Sequence, residues 1–160
     1  MATLFLTKKG YTRLRKEYDD LSLRERPKVV AGVTTAAAEG DRSENAEYIY
    51  GKKRLREIDR RLQYLSYLLK DPKIIDSHKV NTDVVSFGSK VEVMDEEGVK
   101  KSWTIVGEGE ADFKERTISL EAPVARALLG KKVGEIVQVD LQKGQVEYAI
   151  VSICVGDIDK

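Results

Sequence analysis

Residues 48–69 read YIYGKKRLREIDRRLQYLSYLL, and their inward-facing positions follow a helical repeat. The members of this repeat are spaced alternately by three and four positions: Tyr48, Gly51, Leu55, Ile58, Leu62, Leu65 and Leu69. The alternation places them in one stripe along a helix and is typical of a coiled-coil seam. The stretch therefore predicts a long helix that packs along its length against another helix.

The partner helix is predicted upstream, in two pieces. The first piece has the same spacing at Tyr11, Leu14, Tyr18 and Leu21, and the second resumes it in a shifted phase at Val30, Val33 and Ala37. Thr7 can cap the first piece with its hydroxyl group. Pro27 lacks an amide hydrogen, so we expect a kink or a short break there. Gly40 is expected to end the second piece of the helix.

Two helices of similar length joined by a tight turn run antiparallel and bury their seams against each other. The stretch from Thr7 to Gly40 predicts a rod of about 50 Å at 1.5 Å per residue. Gly51 lies on the seam, where it lacks a side chain and disfavours the helix by about 1 kcal/mol relative to Ala. We expect the two backbones to approach closely at this position.

The second half of the chain changes to a period of two. Val91 and Val93 alternate with polar residues, residues 95–98 form a turn, and a short helix is expected over residues 122–129 before Gly130. Further strands are predicted around Trp103, Ile105, Ile118, Leu120, residues 137–141 and residues 146–152. The sequence therefore predicts an α+β protein of two domains. These are an antiparallel helical hairpin at residues 1–72 and a β-sheet domain with one short helix at residues 85–160, joined by a linker at 73–84.

Composition limits the class of protein. The chain has 160 residues, 41% hydrophobic and 34% charged, with a single Cys and a single His. These counts leave no disulfide framework and no Cys-rich zinc site. No apolar run approaches the length of about 20 residues that spans a bilayer. The first residues also lack the pattern of a secretion signal, so we expect a cytoplasmic protein without a membrane partner.

The net charge of +1 conceals two halves of opposite sign. Residues 1–70 carry 16 basic against 10 acidic side chains, a balance of +6, and residues 71–160 carry 12 against 17, a balance of −5. A basic half is compatible with a nucleic-acid partner and equally with a solvated helix pair. Charge alone leaves both interpretations open.

Two acids stand at the expected end of the rod, in the segment GDRSENA at residues 40–46. Asp41 and Glu44 have the spacing of a capping box, in which each side chain accepts a hydrogen bond from a backbone amide at the start of a helix. Carboxylates are also ligands for Mg²⁺, which often takes only one or two of them together with waters and phosphates. Two acids on an exposed tip do not complete such a site. They are either a helix cap or half of a metal site.

Basic residues follow the tip in the segment KKRLREIDRR, residues 52–61. With Leu55 and Ile58 turned inward, Lys53, Arg56 and Arg60 share the outer face of the helix. Such a stripe can guide a phosphate backbone toward the acids. The alternative is a solvated helix face, with Glu57 and Arg61 as an ion pair four positions apart.

These segments resemble the bacterial transcript cleavage factors of the Gre family. The resemblance is carried by residues 40–48, by residues 52–61, and by residues 119–133 with the run APVARALLG at 122–130. It extends over nearly the whole chain in the expected order. It implies a coiled coil followed by a domain of FKBP-like fold.

The resemblance also implies a function for each segment. Bacterial RNA polymerase would be the partner of this monomer, with the coiled coil in its secondary channel. There Asp41 and Glu44 would help to hold a second Mg²⁺, bound jointly with polymerase and weakly or not at all by the free protein. The site then cleaves backtracked RNA, and the protein is a cofactor of the polymerase with no nuclease activity of its own. The set Lys52, Lys53, Arg56 and Arg60 would contact the nascent RNA 3′ segment or the channel wall, and Glu121, Ala122 and Pro123 would dock on polymerase.

Two positions depart from the family pattern, which usually has Asp-Ser where this chain has Glu121-Ala122, and Asn where it has Gly51. Two rival functions also remain. One is a prolyl isomerase or chaperone, because such proteins share the FKBP-like fold and need an aromatic pocket, for which Phe87, Trp103, Phe113 and Tyr148 are available. The other is a regulator that occupies the polymerase channel without promoting cleavage, which would not need both acids.

Overall fold

The computed structural model describes residues 4–40 and 45–160. The chain divides into two compact units. Residues Arg13–Lys70 form the helical unit, and the described residues on either side of that range form the β unit. The bounds expected for the domains and for the linker stay a prediction.

The helical unit contains an antiparallel hairpin. Helix α1 spans Lys8–Asp20 and so begins in the β unit, a π-helical turn spans Leu21–Glu25, α2 spans Arg26–Ala38, and α3 spans Ala46–Leu69. Ion pairs join Glu17 to Arg61 and Glu25 to Arg54. Along the first helical arm the earlier residue, Glu17, thus pairs with the later residue of α3. This pairing is that of two helices running in opposite directions.

The predicted seam of α3 is confirmed. Every predicted seam residue from Tyr48 to Leu69 is buried or half-buried, and Ile58 and Leu65 are almost fully buried. The repeat did not mark Leu68, which is also buried. Leu14 and Leu21 are buried on the opposing side, as predicted.

The predicted seam of α2 is wrong at one position. Val30 is exposed, whereas Val29, four positions before the half-buried Val33, is half-buried. The phase shift between the two pieces lies in the π-helical turn before α2, which adds a residue to the helical repeat. In that turn the amide of Arg26 donates to the carbonyl of Leu21, five residues earlier. The expected break near Pro27 is therefore present as this turn, and Pro27 lies in the first turn of α2, where its missing amide hydrogen matters least.

Gly51 brings α2 and α3 together, as its place on the seam predicted. A Cβ atom at this position would lie 2.6 Å from Cγ2 of Val33 on the facing helix. No side chain fits at that distance unless Val33 moves. The absence of a side chain at Gly51 thus sets the close spacing of the helices near the tip.

The β unit contains a sheet of two strands and a sheet of five. Strands β1 (Phe5–Thr7) and β2 (Lys73–Ile75) pair in parallel. The larger sheet has the order β5-β4-β3-β7-β6. Its strands are β3 (Ser89–Met94), β4 (Lys100–Val106), β5 (Thr117–Ser119), β6 (Ile136–Leu141) and β7 (Gly144–Val155).

The short helix α4, Pro123–Leu128, packs against the larger sheet. Its buried residues Ala125 and Leu128 join a core that includes Val91 and Val93, the alternating residues of β3. Gly130 follows the helix with a φ of 83°, the left-handed conformation expected for a glycine that ends a helix. The predicted fold class, an antiparallel helical hairpin and a β-sheet domain with one short helix, is confirmed.

Glu110 fastens the start of α1 within the β unit. Its carboxylate accepts hydrogen bonds from the amides of Thr7 (3.0 Å) and Gly107 (2.6 Å) and from the hydroxyl of Thr7. The Thr7 hydroxyl also accepts a hydrogen bond from the amide of Gly10 at 2.9 Å, so the predicted cap is confirmed. Glu110 is only 3% exposed, and nothing in the sequence pattern marked it.

Within residues 4–40 and 45–160, no helix combines the length and the apolar character that crossing a bilayer requires.

Candidate functional site

The two candidate acids, Asp41 and Glu44, lie outside the described residues. The structure describes the chain on both sides of them. Helix α2 ends at Ala38 with Glu39 as its C-cap, and α3 begins at Ala46 with Asn45 as its N-cap. The acids therefore belong to a segment whose two ends are fixed by helices.

Asn45 links those two helix ends directly. Its side-chain oxygen accepts a hydrogen bond from the amide of Tyr48 at 3.1 Å, which caps α3. Its side-chain nitrogen donates to the carbonyl of Ala36 at 2.7 Å, near the C-terminus of α2. Ala36 is almost fully buried in the hairpin. One amide side chain thus caps α3, adds a hydrogen bond to the Ala36 carbonyl of α2, and holds the ends of the acidic segment together.

The capping role considered for Asp41 and Glu44 lies outside the described residues. The N-cap of α3 is Asn45, four positions after Asp41. Asn is among the preferred capping residues, so its place directly before the helical run was a usable signal. Both interpretations of the two acids, as a helix cap and as half of a metal site, stay predictions.

Replacement of Asn45 tests the link. We expect Asn45→Ala to lower the free energy of unfolding by about 1–2 kcal/mol, because both the cap and the bond to Ala36 are lost. Asn45→Asp keeps an acceptor for the Tyr48 amide but removes the donor, so it isolates the bond to Ala36 and is expected to cost about 1 kcal/mol. Urea unfolding followed by helical circular dichroism measures both. An Asp variant as stable as the parent would show that the bond between the helices contributes nothing.

The predicted basic residues of α3 are all exposed: Lys52, Lys53, Arg56 and Arg60. None of the four forms an ion pair with a residue that the structure describes. Lys52, four positions before Arg56, lies beside the outer face that was predicted for Lys53, Arg56 and Arg60. We call Lys53, Arg56 and Arg60 the basic stripe. Its charge is available to a partner.

The other arginines of this region stabilise the hairpin instead. Arg54 contacts Glu25 across the hairpin and Glu57 at 3.4 Å on its own helix. Arg61 makes two bonds to Glu17, at 2.6 and 2.9 Å. The alternative pair of Glu57 with Arg61 is therefore wrong. Arg54 and Arg61 therefore stabilise the hairpin, whereas Arg56 and Arg60 face solvent.

The Glu17–Arg61 pair gives the hairpin a dependence on pH. The hydrogen bonds and charge of Arg61 hold the pKa of Glu17 below its ordinary value of 4.5. Its stabilisation is complete above that value and is lost as the pH falls through the lower pKa of the folded state. We expect parent and Glu17→Gln to differ in unfolding free energy at neutral pH and to converge below pH 4.5. Urea unfolding at several pH values measures this, and a constant difference would contradict it.

The predicted docking residues lie where the loop before α4 enters the helix. Glu121 and Pro123 are exposed, and Ala122 is the half-buried N-cap residue of the helix. The Glu121 carboxylate accepts a hydrogen bond from Arg126 at 2.6 Å, one turn into the helix. The amide of Ala122 donates to the carbonyl of Ser119 at 2.9 Å. The loop therefore presents a fixed shape to a partner.

The available donor groups determine whether the protein can hold a metal ion. In the part of the chain that the structure describes, no cluster of three or more His, Cys, Asp or Glu side chains could hold an ion. Asp41 and Glu44 offer carboxylate oxygens, the ligand type that Mg²⁺ prefers, and two carboxylates suffice where a partner and a substrate supply the rest. The residue types fit a shared Mg²⁺.

The aromatic residues considered for a prolyl isomerase pocket lie in different surroundings. Tyr148 is buried and packs edge-on against Trp103, with ring centroids 5.5 Å apart. Phe87 packs against Phe5, and Phe113 is 96% exposed. Only Trp103 and Phe113 border a common cavity, so the four residues together do not form the aromatic pocket that this rival function needs.

Comparison with known proteins identifies the family. A family model described as "Transcription elongation factor, N-terminal" matches residues 4–74, and one described as "Transcription elongation factor, GreA/GreB, C-term" matches residues 80–154. The chain belongs to the GreA/GreB family of transcription elongation factors. The resemblance that its sequence motifs carry is confirmed.

Relatives of this GreA/GreB-family chain match it over nearly its whole length. Transcription elongation factor GreB of Haemophilus ducreyi is 46% identical over 91% of this chain and 90% of its own length. The GreB of Vibrio cholerae is 44% identical over 96% of each protein. Among solved structures, the GreA factor homolog Gfh1 of Thermus thermophilus is 26% identical, with a TM-score of 0.45, over 95% of this chain and 99% of that one.

Proposed function

We propose that the protein is a transcript cleavage factor of bacterial RNA polymerase. It binds polymerase as a monomer, inserts its helical hairpin into the secondary channel, and stimulates the hydrolysis of backtracked nascent RNA by the polymerase active site. The observation that carries the proposal is the acidic pair Asp41 and Glu44 on the segment between two helices that Asn45 fastens together. Membership of a family of transcription elongation factors supports it.

The acidic pair supplies ligands, and polymerase supplies the rest of the site. Asp41 and Glu44 would contribute carboxylate oxygens to a Mg²⁺ ion that polymerase and the RNA phosphate also hold. Bound there, Mg²⁺ supplies a Lewis acid that lowers the pKa of a water and stabilises charge on phosphate oxygens. The residues of this chain bring the acids to the reacting phosphodiester and orient them. The protein thus acts as a cofactor of another enzyme.

The docking loop and the exposed basic residues of α3 bind polymerase and RNA. The loop at Glu121, Ala122 and Pro123 docks on polymerase, since it is exposed and held by hydrogen bonds. The basic stripe and Lys52 contact the 3′ segment of the extruded RNA or the channel wall. Their cations have no partner among the described residues and match the charge of a phosphate backbone.

The proposal is tested by adding the protein to purified RNA polymerase that is halted in a backtracked complex. We expect release of short RNA fragments from the 3′ end, followed by renewed extension of the remaining RNA. The protein without polymerase should cleave no RNA. Binding without faster cleavage would instead favour a regulator that only occupies the channel, and an absence of binding would contradict both.

The basic stripe gives a separate prediction. Replacement of Lys53, Arg56 and Arg60 by Ala is expected to slow cleavage of complexes with long extruded RNA more than of those with short RNA, because a longer segment contacts more of the stripe. The rate of fragment release at both lengths measures this. Lys16→Ala, at an exposed lysine of α1 outside this basic set, is the matched control. Equal losses at both lengths would refute a role in holding RNA.

A further inference from the structure

Strand β4 has an open edge in the β unit. The edge strand β5 pairs with Thr104–Val106 only, through Thr117–Ser119, although β4 begins at Lys100. Residues 100–103 therefore have no strand beside them on this side among the residues described. An uncovered edge offers backbone donors and acceptors to an added chain.

The hydrogen bonds of β4 show which backbone groups face the open side. The amide of Thr104 donates to the carbonyl of Arg116 at 3.1 Å, and the carbonyl of Val106 accepts from the amide of Leu120 at 2.9 Å. Both bonds lie on the β5 side. Because the amide and carbonyl groups of alternate residues point to the same side of a strand, those of Ser102 also point there.

A groove runs along this edge. Its volume is about 570 Å³, and it is lined by residues 100–103 of β4, by the turn with Phe113, Lys114 and Arg116, and by the start of β5. Phe113 is 96% exposed, and Trp103 is half-buried on the opposite wall. An exposed aromatic side chain beside a groove is a common anchor for a protein partner.

Four cations surround the groove: Lys100, Lys101, Lys114 and Arg116. None of them forms an ion pair with another residue in the described part of the chain. The four cations outnumber the acids of the same turn, since Glu115 lies 3.8 Å from Lys9 and Asp112 accepts a hydrogen bond from the amide of Lys114 at 2.9 Å. This surface is positive although residues 71–160 carry a net charge of −5.

We propose that this groove binds an extended acidic segment of a partner protein, which adds as a strand beside residues 100–103. The backbone of the segment pairs with Ser102, its carboxylates face the cations, and an apolar side chain packs against Phe113 and Trp103. A second copy of this chain is a poor occupant, because its edge would place lysines against lysines. A single-stranded nucleic acid matches the charge, but its phosphates provide no donor for the Ser102 carbonyl.

The intact chain carries its own reporter, because Trp103 is its only tryptophan. The probe is an acetylated and amidated hexapeptide of alternating glutamate and valine, titrated at low ionic strength while the Trp103 emission is measured. We expect a saturable change in emission that weakens as salt is added. A lysine–valine hexapeptide and hexauridylate serve as the two comparison ligands and are expected to leave the emission unchanged.

Two variants separate the backbone from the charge. Ser102→Pro removes the outward amide without touching the ladder to β3, a position at which edge strands tolerate Pro, and is expected to weaken binding by about tenfold or more. Ser102→Ala keeps the amide and should bind like the parent. The double variant Lys100→Glu and Lys114→Glu is expected to abolish binding without altering the backbone. Thermal unfolding checks the fold of each variant.

The proposal is overturned by any of three results. The first is an emission that does not change with the glutamate–valine peptide. The second is equal binding of hexauridylate, which would indicate a nucleic-acid site, or of the lysine–valine peptide. The third is undiminished binding by the charge-reversed variant, which decides the matter even if Ser102→Pro fails to fold.

Discussion

Asp41→Asn and Glu44→Gln are each expected to abolish stimulated RNA cleavage while leaving the affinity for polymerase nearly unchanged. Each change keeps the size of the side chain and removes a carboxylate charge that the shared Mg²⁺ requires. Loss of one ligand from a shared site is expected to slow cleavage by about two orders of magnitude or more. The measurements are polymerase binding and the rate of fragment release from a halted, backtracked complex.

The controls come from acids close to the same segment. Glu39 and Glu47 are exposed and flank the segment on α2 and α3. Glu39→Gln and Glu47→Gln change the local charge by the same amount and should leave cleavage near the parent rate. If they reduce cleavage as much as Asp41→Asn does, general electrostatics accounts for the effect and the shared metal does not. A fully active Asp41→Asn variant would equally reject the proposed ligand.

Glu110→Ala is expected to produce the largest loss of stability in the β unit. The carboxylate accepts three hydrogen bonds, from the Thr7 amide, the Thr7 hydroxyl and the Gly107 amide, and it is almost fully buried. Ala would leave buried donors without acceptors and open a cavity. We expect the free energy of unfolding to fall by about 3–5 kcal/mol. Thermal and urea unfolding measure the loss.

Graded substitutions separate the hydrogen bonds from simple volume. Glu110→Gln can still accept from both amides and donate to the Thr7 hydroxyl, so it is expected to cost about 1 kcal/mol. Gly10→Ala should also be strongly destabilising, because its Cβ would lie 1.6 Å from a Glu110 carboxylate oxygen. Glu97→Ala, in an exposed hairpin turn, is the matched control and should be close to neutral. Equal losses for Gln and Ala at residue 110 would contradict the hydrogen-bond account.

The fold was largely predictable because its elements carry strong periodic signals. The three-four spacing from Tyr48 to Leu69 identified α3 and its buried face, and the alternation at Val91 and Val93 identified a strand with one buried face. The error at Val30 arises because the spacing 30, 33, 37 fits the helical repeat as well as 29, 33, 36 does, and positions 29 and 30 are both Val.

The residue types of the candidate site were predictable from the sequence, whereas the hydrogen bonds that hold the surrounding elements in place were not. The spacing within α3 correctly grouped Lys53, Arg56 and Arg60, because helical geometry alone decides which residues share a face. The capping role of Asn45 was not predicted, since Asp41 and Asn45 are both good capping residues and the structure shows that Asn45 caps α3. The role of Glu110 was not predicted, because its partner Thr7 is 103 residues away in the sequence.

The dependence of cleavage on Mg²⁺ shows whether the acidic pair helps to hold a catalytic metal ion. Backtracked complexes are saturated with parent or Asp41→Asn protein, and the single-turnover rate of fragment release is measured across Mg²⁺ concentrations. If the acidic pair helps to hold a catalytic Mg²⁺, the parent lowers the Mg²⁺ concentration that gives half-maximal cleavage relative to polymerase alone, and Asp41→Asn does not. Identical Mg²⁺ curves for parent, variant and polymerase alone would contradict it.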